Sequence, residues 1–253
     1  MSNRHMLLQL FTTICLVMTL GVSGCVEAGL LGFGGDSWKE EVLLHDGSKI
    51  VVERTVERGG RHEIGQKPSY KEQSLSFTLP GTNQIITWED HYSQDLGQAN
   101  FLPMALDIFG GTPYLVAYPM GCPSYNKWGR PNPPYVVFQN QGKEWTRIPL
   151  QKLPAEIMTP NVIFSMPDIQ VERFGKRFIT AEMITGVING HKQPEFKTIL
   201  REPLKQGLGG TGCSIPTTAT GKLIAPEVGG EPIYDNWWPL ASEWMRNTYG
   251  KEK

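Results

Sequence analysis

Several clusters in this sequence bring together side chains that can do chemistry. Trp88-Glu89-Asp90-His91 concentrates two carboxylates and an imidazole, the groups from which a general acid and base or a metal site is assembled. His62-Glu63 opens like a zinc-protease helix, where histidines four apart hold the metal and the glutamate serves as base; here the second histidine position is Gln66, and Gly65 breaks the helix. Gly207 to Gly212 (GLGGTG) has the glycine spacing of a phosphate loop, yet no Lys-Ser/Thr follows and no βαβ unit surrounds it. No GxSxG occurs, so the usual serine-hydrolase turn is absent. Tyr125, Trp128 and Tyr135, with Asn126, Arg130 and Asn132 among them, are suited to stacking on a sugar or peptide, and equally to packing in a core. From these clusters we assign no catalytic residue, no metal site and no cofactor.

The elements that would hold these residues read mostly as strands. On a strand, neighbours point to opposite faces, so at most two of Glu89, Asp90 and His91 can converge. Glu41 to Glu57 reads as two β-rich runs around an Asp46-Gly47-Ser48 turn, with Ile50, Val52, Arg54 and Val56 on one face and Val51, Glu53, Thr55 and Glu57 on the other. A polar loop follows from Arg58 to Tyr70. A second hairpin runs Gln73 to Leu79, turns at Pro80-Gly81 and returns from Gln84 to Trp88.

Between Phe101 and Pro149 lie short runs at Ala105 to Phe109, Pro113 to Tyr118, Pro134 to Phe138 and Glu144 to Ile148, a pattern similar to one blade of a β-propeller. Further strands fit Val162 to Ser165, Arg177 to Met183 and Phe196 to Arg201, and a short helix fits Pro239 to Asn247 within the cluster Tyr234, Trp237, Trp238, Trp244 and Tyr249. With 28 Gly and 19 Pro punctuating the chain, the expected fold is mostly β: an irregular antiparallel β-sandwich or partial propeller-like sheets with a short C-terminal helix.

The 19% of charged residues and 40% of hydrophobic ones mark a globular chain. Basic and acidic side chains nearly balance, 24 against 25, without basic blocks, which argues against a nucleic-acid partner.

The amino terminus carries a more specific signal. Arg4 precedes an apolar run from Met6 to Leu20, shorter than the ~20 residues a spanning helix needs, and the run exits through Val22-Ser23-Gly24-Cys25. These are the parts of a secretory signal. The last four residues resemble the lipobox of bacterial lipoproteins: an aliphatic residue, two small ones and an obligatory cysteine, with Val22 where the family most often has Leu. The resemblance covers residues 1–25, and the body resembles proteobacterial lipoproteins of uncharacterised role.

It implies a signal peptide over 1–24 recognised through Val22, Ser23 and Gly24, cleavage that makes Cys25 the new amino terminus, and lipid, including palmitate-type acyl chains, on Cys25. A thiolate suits the first of these steps because it is the best side-chain nucleophile for taking up a diacylglyceryl group. Residues 25–37 then form a tether and 38–253 one β-rich domain. Val26 stands where aspartate favours inner-membrane retention in enteric bacteria, so the expected place is the outer membrane, facing the periplasm.

With Cys15 in the signal and Cys25 lipidated, Cys122 and Cys213 remain for the body. An oxidising compartment favours one disulfide between them, against two thiols or a metal site. Together these readings point to a lipid-anchored envelope protein with a non-catalytic binding or structural role and an envelope protein or glycan as partner. The alternatives are a glycan- or peptide-active hydrolase and a small-ligand carrier.

Overall fold

The computed structural model describes residues 35–60, 62, 64–65, 67–204, 213, 227–228 and 231–232. The signal segment with Val22, Ser23, Gly24 and Cys25, the GLGGTG run, the expected helix at 239–247 and its aromatic cluster all lie outside the described residues.

Two β-sheets dominate. In the first, β1 (Asp36–Leu43), β2 (Lys49–Arg58), β3 (Tyr70–Thr78) and β4 (Ile85–Asp90) form an antiparallel meander. The second is also an antiparallel meander, of β5 (Phe101–Phe109), β6 (Thr112–Pro119), β7 (Val136–Asn140) and β8 (Trp145–Ile148). Helix α1 (Gly121–Lys127) links β6 to β7, and α2 (Pro167–Phe174) and α3 (Ala181–Asn189) flank the two-residue β9 (Phe178–Ile179), which pairs parallel with β1. A minimal pair, β10 (Glu227–Val228) and β11 (Glu231–Pro232), completes the described elements.

The strand patterns follow from what covers each sheet. In the first sheet the burial alternates: Trp38, Glu40 and Val42 in β1, and Ile50, Val52, Arg54 and Val56 in β2, are inside, while the intervening residues face water. Its inner face meets the second sheet through Val42, Val52, Leu75, Phe77 and Trp88 against Phe101, Leu106, Leu115 and Phe138. Farther along, the same face packs through Trp38, Val56 and Tyr70 on Val171 of α2 and Ile184 and Ile188 of α3.

The second sheet is covered on both sides, the far side by Leu153, Ile157, Phe164 and Ile199, so β5 and β6 read as nearly continuous apolar runs. A bulge at Met104 breaks the β5–β6 register. The Met104 carbonyl there accepts from the backbone N–H groups of Asn161 and Val162.

The mostly β expectation and both hairpins agree with this architecture, whose two sheets share one core as a sandwich does. Three strand assignments do not. Val162 to Ser165 is an irregular segment threaded into the core. Of Arg177 to Met183, only Phe178–Ile179 is strand, because Thr180 caps α3 by accepting from the Met183 N–H, and Ala181, Ile184 and Ile188 form a helical stripe. Phe196 to Arg201 begins as a 3-10 turn (Pro194–Phe196). Helix α2, not expected from the sequence, has Pro167 in its first turn, Arg173 in its last and a left-handed Gly175 as its stop.

Candidate functional site

The aromatic loop packs inward. Tyr125 and Tyr135 are buried, and the Trp128 ring lies 4.6 Å from that of Phe101 with its indole N–H donating to Asn100 Oδ1. Arg130 stands over the Tyr125 ring at 4.9 Å and donates to Asn126 Oδ1 and the Cys213 carbonyl. Asn132 makes a two-way clamp on Leu204. The expected binding surface is therefore not assembled: Tyr125 and Tyr135 pack inside, and Trp128, half-buried, packs on Phe101 and Phe138.

The disulfide between Cys122 and Cys213 is present, with Cα atoms 5.2 Å apart. Cys122 sits in the first turn of α1.

The Trp88–His91 run splits as strand geometry requires. Asp90 is buried, and its carboxylate accepts from the Asn100 side chain, the Asn100 and Phe101 backbone N–H groups and Gln73 Nε2. Burial pushes the Asp90 pKa up and these donors oppose the shift. It is a strut joining the end of β4 to the start of β5. His91 and Glu89 face solvent; His91 pairs with Glu72 at 2.8 Å, which raises its pKa. His62 Nδ1 donates to the Gly60 carbonyl, and Glu63 and Gln66 lie outside the described residues. Among the described residues no group of three metal-ligating side chains occurs.

Sequence reasoning missed a polar stripe across the inner face of the first sheet. Glu40 and Arg54, 0% and 1% exposed, pair at 3.0 Å, and Glu40 also accepts from Trp38 Nε1 and the Ile163 N–H. Alternation placed Arg54 on the apolar face of β2, which was the available signal.

One residue pair along, Asp168 of α2 accepts from Arg58 at 2.7 and 2.9 Å and from Tyr70 Oη, with Lys67 at 3.5 Å. Burial alone would raise the Asp168 pKa, but the Arg58 and Tyr70 hydrogen bonds outweigh it and hold the value at about 2. Burial and the neighbouring carboxylate push the Tyr70 hydroxyl up. An aspartate with a depressed folded pKa gives stability that is complete above its unfolded value near 4 and is lost as pH falls through about 2. Between pH 5 and pH 2 the expected loss is about 2 kcal/mol, read by urea unfolding at each pH, and Asp168→Asn should remove that part of the pH dependence.

Above this network opens a cleft of about 380 Å³ floored by Trp38 and Val171 and rimmed by Asp36, Glu172, Lys176 and Arg177. It is a charged corner, partly closed on itself by Arg177 with Asp36 at 3.7 Å.

At the opposite end the hairpin turns gather. In a meander the β1–β2 and β3–β4 turns share one end of their sheet, as do the β5–β6 and β7–β8 turns. His45 in the first turn ties to Asp107 of β5 through Nδ1 at 2.6 Å and its backbone N–H at 3.0 Å. The Asp107 hydrogen bond raises the His45 pKa despite the opposing effect of burial. Gln84 Nε2 donates to the Gly142 carbonyl at 3.3 Å, joining the second turn to the fourth. A groove of about 470 Å³ lies between the second, third and fourth turns. Its walls offer hydrogen bonding without a titratable group, which suits recognition rather than proton transfer.

Comparison with protein-family models, with curated proteins and with solved structures finds no match.

Proposed function

We propose that this chain is a lipid-anchored protein of the bacterial cell envelope whose body serves a non-catalytic binding or structural role. The observation that carries the reading is Val22-Ser23-Gly24-Cys25 placed at the exit of an apolar signal core. Two or three acyl chains on one cysteine hold a domain stably, since each buried CH₂ contributes about 0.8 kcal/mol.

The body is consistent with an oxidising compartment. Its Cys122–Cys213 bridge persists where thiols are not kept reduced. The buried carboxylates Glu40, Asp90 and Asp168 each accept several protein hydrogen bonds and join elements of the fold, so their bonding serves structure. The partner is an envelope protein or glycan, reached while the domain stays on its leash.

Expression of the precursor in a Gram-negative host tests this. The wild type is expected to gain acyl mass and to sediment with membranes, and Cys25→Ala to do neither. Release of both as the same unacylated protein would refute the anchor.

A further inference from the structure

We propose that the groove at the hairpin end of the sandwich binds a neutral, N-acetylated sugar chain. The inference deepens the envelope-binding reading and rests on it for the expectation that such a chain is within reach.

The groove differs from the corner cleft in charge. Asp36, Asp168, Glu172, Lys176 and Arg177 line the cleft, whereas none of the residues lining the groove is ionisable. Leu79, half-buried, supplies an aliphatic surface beside the buried Ile86 and Pro113, and Gln84, Gln139, Asn140, Gln141 and Thr112 supply amides and a hydroxyl. A carboxamide carries a donor and an acceptor side by side, the pairing that vicinal hydroxyls and an acetamido group offer in return. The C–H face of a sugar ring can rest on Leu79.

Several of these amides are already oriented by the fold. Asn140 is 6% exposed, and its Oδ1 accepts from the Gly142 N–H at 3.1 Å. Its Nδ2 has no partner among the described residues and is left to donate. Gln139 Nε2 donates to Tyr114 Oη at 3.1 Å and Gln84 Nε2 to the Gly142 carbonyl, which leaves both Oε1 atoms to accept. Preset donors and acceptors reduce the ordering cost of binding. Gly111 and Gly142 sit at φ 79° and 87° with open space where a Cβ would point, so the rim is bare backbone that a ligand can approach.

An extended peptide fits less well. Peptides that bind sheets add to an open strand edge; here Thr78 pairs with Ile85 and Tyr114 with Gln139, and the one strand edge beside the groove is that of β4, which pairs with β3 alone. That edge of β4 is already engaged, because the Thr87 carbonyl accepts from Trp145 Nε1 of β8 across the two sheets.

The test titrates the full-length protein, purified in detergent, with the β-1,4-linked N-acetylglucosamine tetrasaccharide and reads binding by NMR line broadening and calorimetry. Asn140→Asp keeps an acceptor for the Gly142 N–H and replaces the Nδ2 donor; Gln141→Leu alters an exposed turn position, which keeps a second variant available if the first unfolds. Saturable binding that weakens roughly tenfold or more in either folded variant, the size of one lost hydrogen bond to a ligand, supports the site. No binding up to about 5 mM, binding unchanged in both variants, or binding of an uncharged Gly-Ser-Asn peptide in place of the sugar overturns it. Intact mass on the same sample separates the two readings: acylated protein without sugar binding defeats the groove alone, and sugar binding without acylation defeats the anchor alone.

Discussion

Glu40→Ala is expected to destabilise the protein by about 3–5 kcal/mol, the cost of breaking a buried ion pair by removing one partner. Glu40 accepts from Arg54 Nη1, Trp38 Nε1 and the Ile163 N–H, so its loss strands three donors in a site without water access. Arg54 would keep only its bond to the Ile163 carbonyl and its place 5.3 Å from the Trp38 ring, with a buried Nε that already lacks a partner. Replacing both ends, as Glu40→Leu with Arg54→Met, should recover much of the loss, because a buried pair replaced by packed apolar groups is often neutral. Chemical unfolding of the two single variants and the double variant measures this. A cost below about 1 kcal/mol for Glu40→Ala would show that the stripe is solvated.

Reducing the Cys122–Cys213 bridge is expected to lower stability by up to about 4–5 kcal/mol in the chain-entropy account for a separation of 91 residues. The bridge fastens the C-terminal segment to α1, beside the Arg130 bond to the Cys213 carbonyl and the Asn132 clamp on Leu204. Since those contacts survive reduction, the loss should appear mainly as a lower unfolding midpoint in Cys122→Ser and Cys213→Ser alike. Urea unfolding with and without reductant, and of both variants, is the measurement. If reduction leaves the midpoint unchanged, the bridge adds nothing beyond the side-chain clamps.

The sequence alone determined what rests on local pattern. Alternation in Glu41 to Glu57 located β1, β2 and the buried face with Arg54 on it, because one wet face and one dry face impose a period of two. The Gly-rich turns marked the hairpins, and the even cysteine remainder named the bridge before any geometry was known. The Val22-Ser23-Gly24-Cys25 string on which the proposed anchor rests is also local, and its resemblance to a lipobox does not depend on the fold.

Helices α2 and α3 were less legible, since each is short and its cap and stop residues are outweighed by β-rich neighbours until tertiary contacts reward the helical stripe. The partnering of Arg58 with Asp168 was beyond sequence reasoning, because 110 positions of the chain separate them; Glu40 lies only 14 positions from Arg54 on the paired strand β1, but alternation assigns a face and not a side-chain partner. Tyr125, Trp128 and Tyr135 show the same limit from the other side: composition gives identical signals for a recognition surface and for a packed interior, and only the packing of Trp128 on Phe101 and Phe138 and of Tyr135 in the second sheet's apolar cluster decided between them. The groove likewise exists only because two independent meanders end together, bringing Gln84 to Gly142 across 58 positions of the chain.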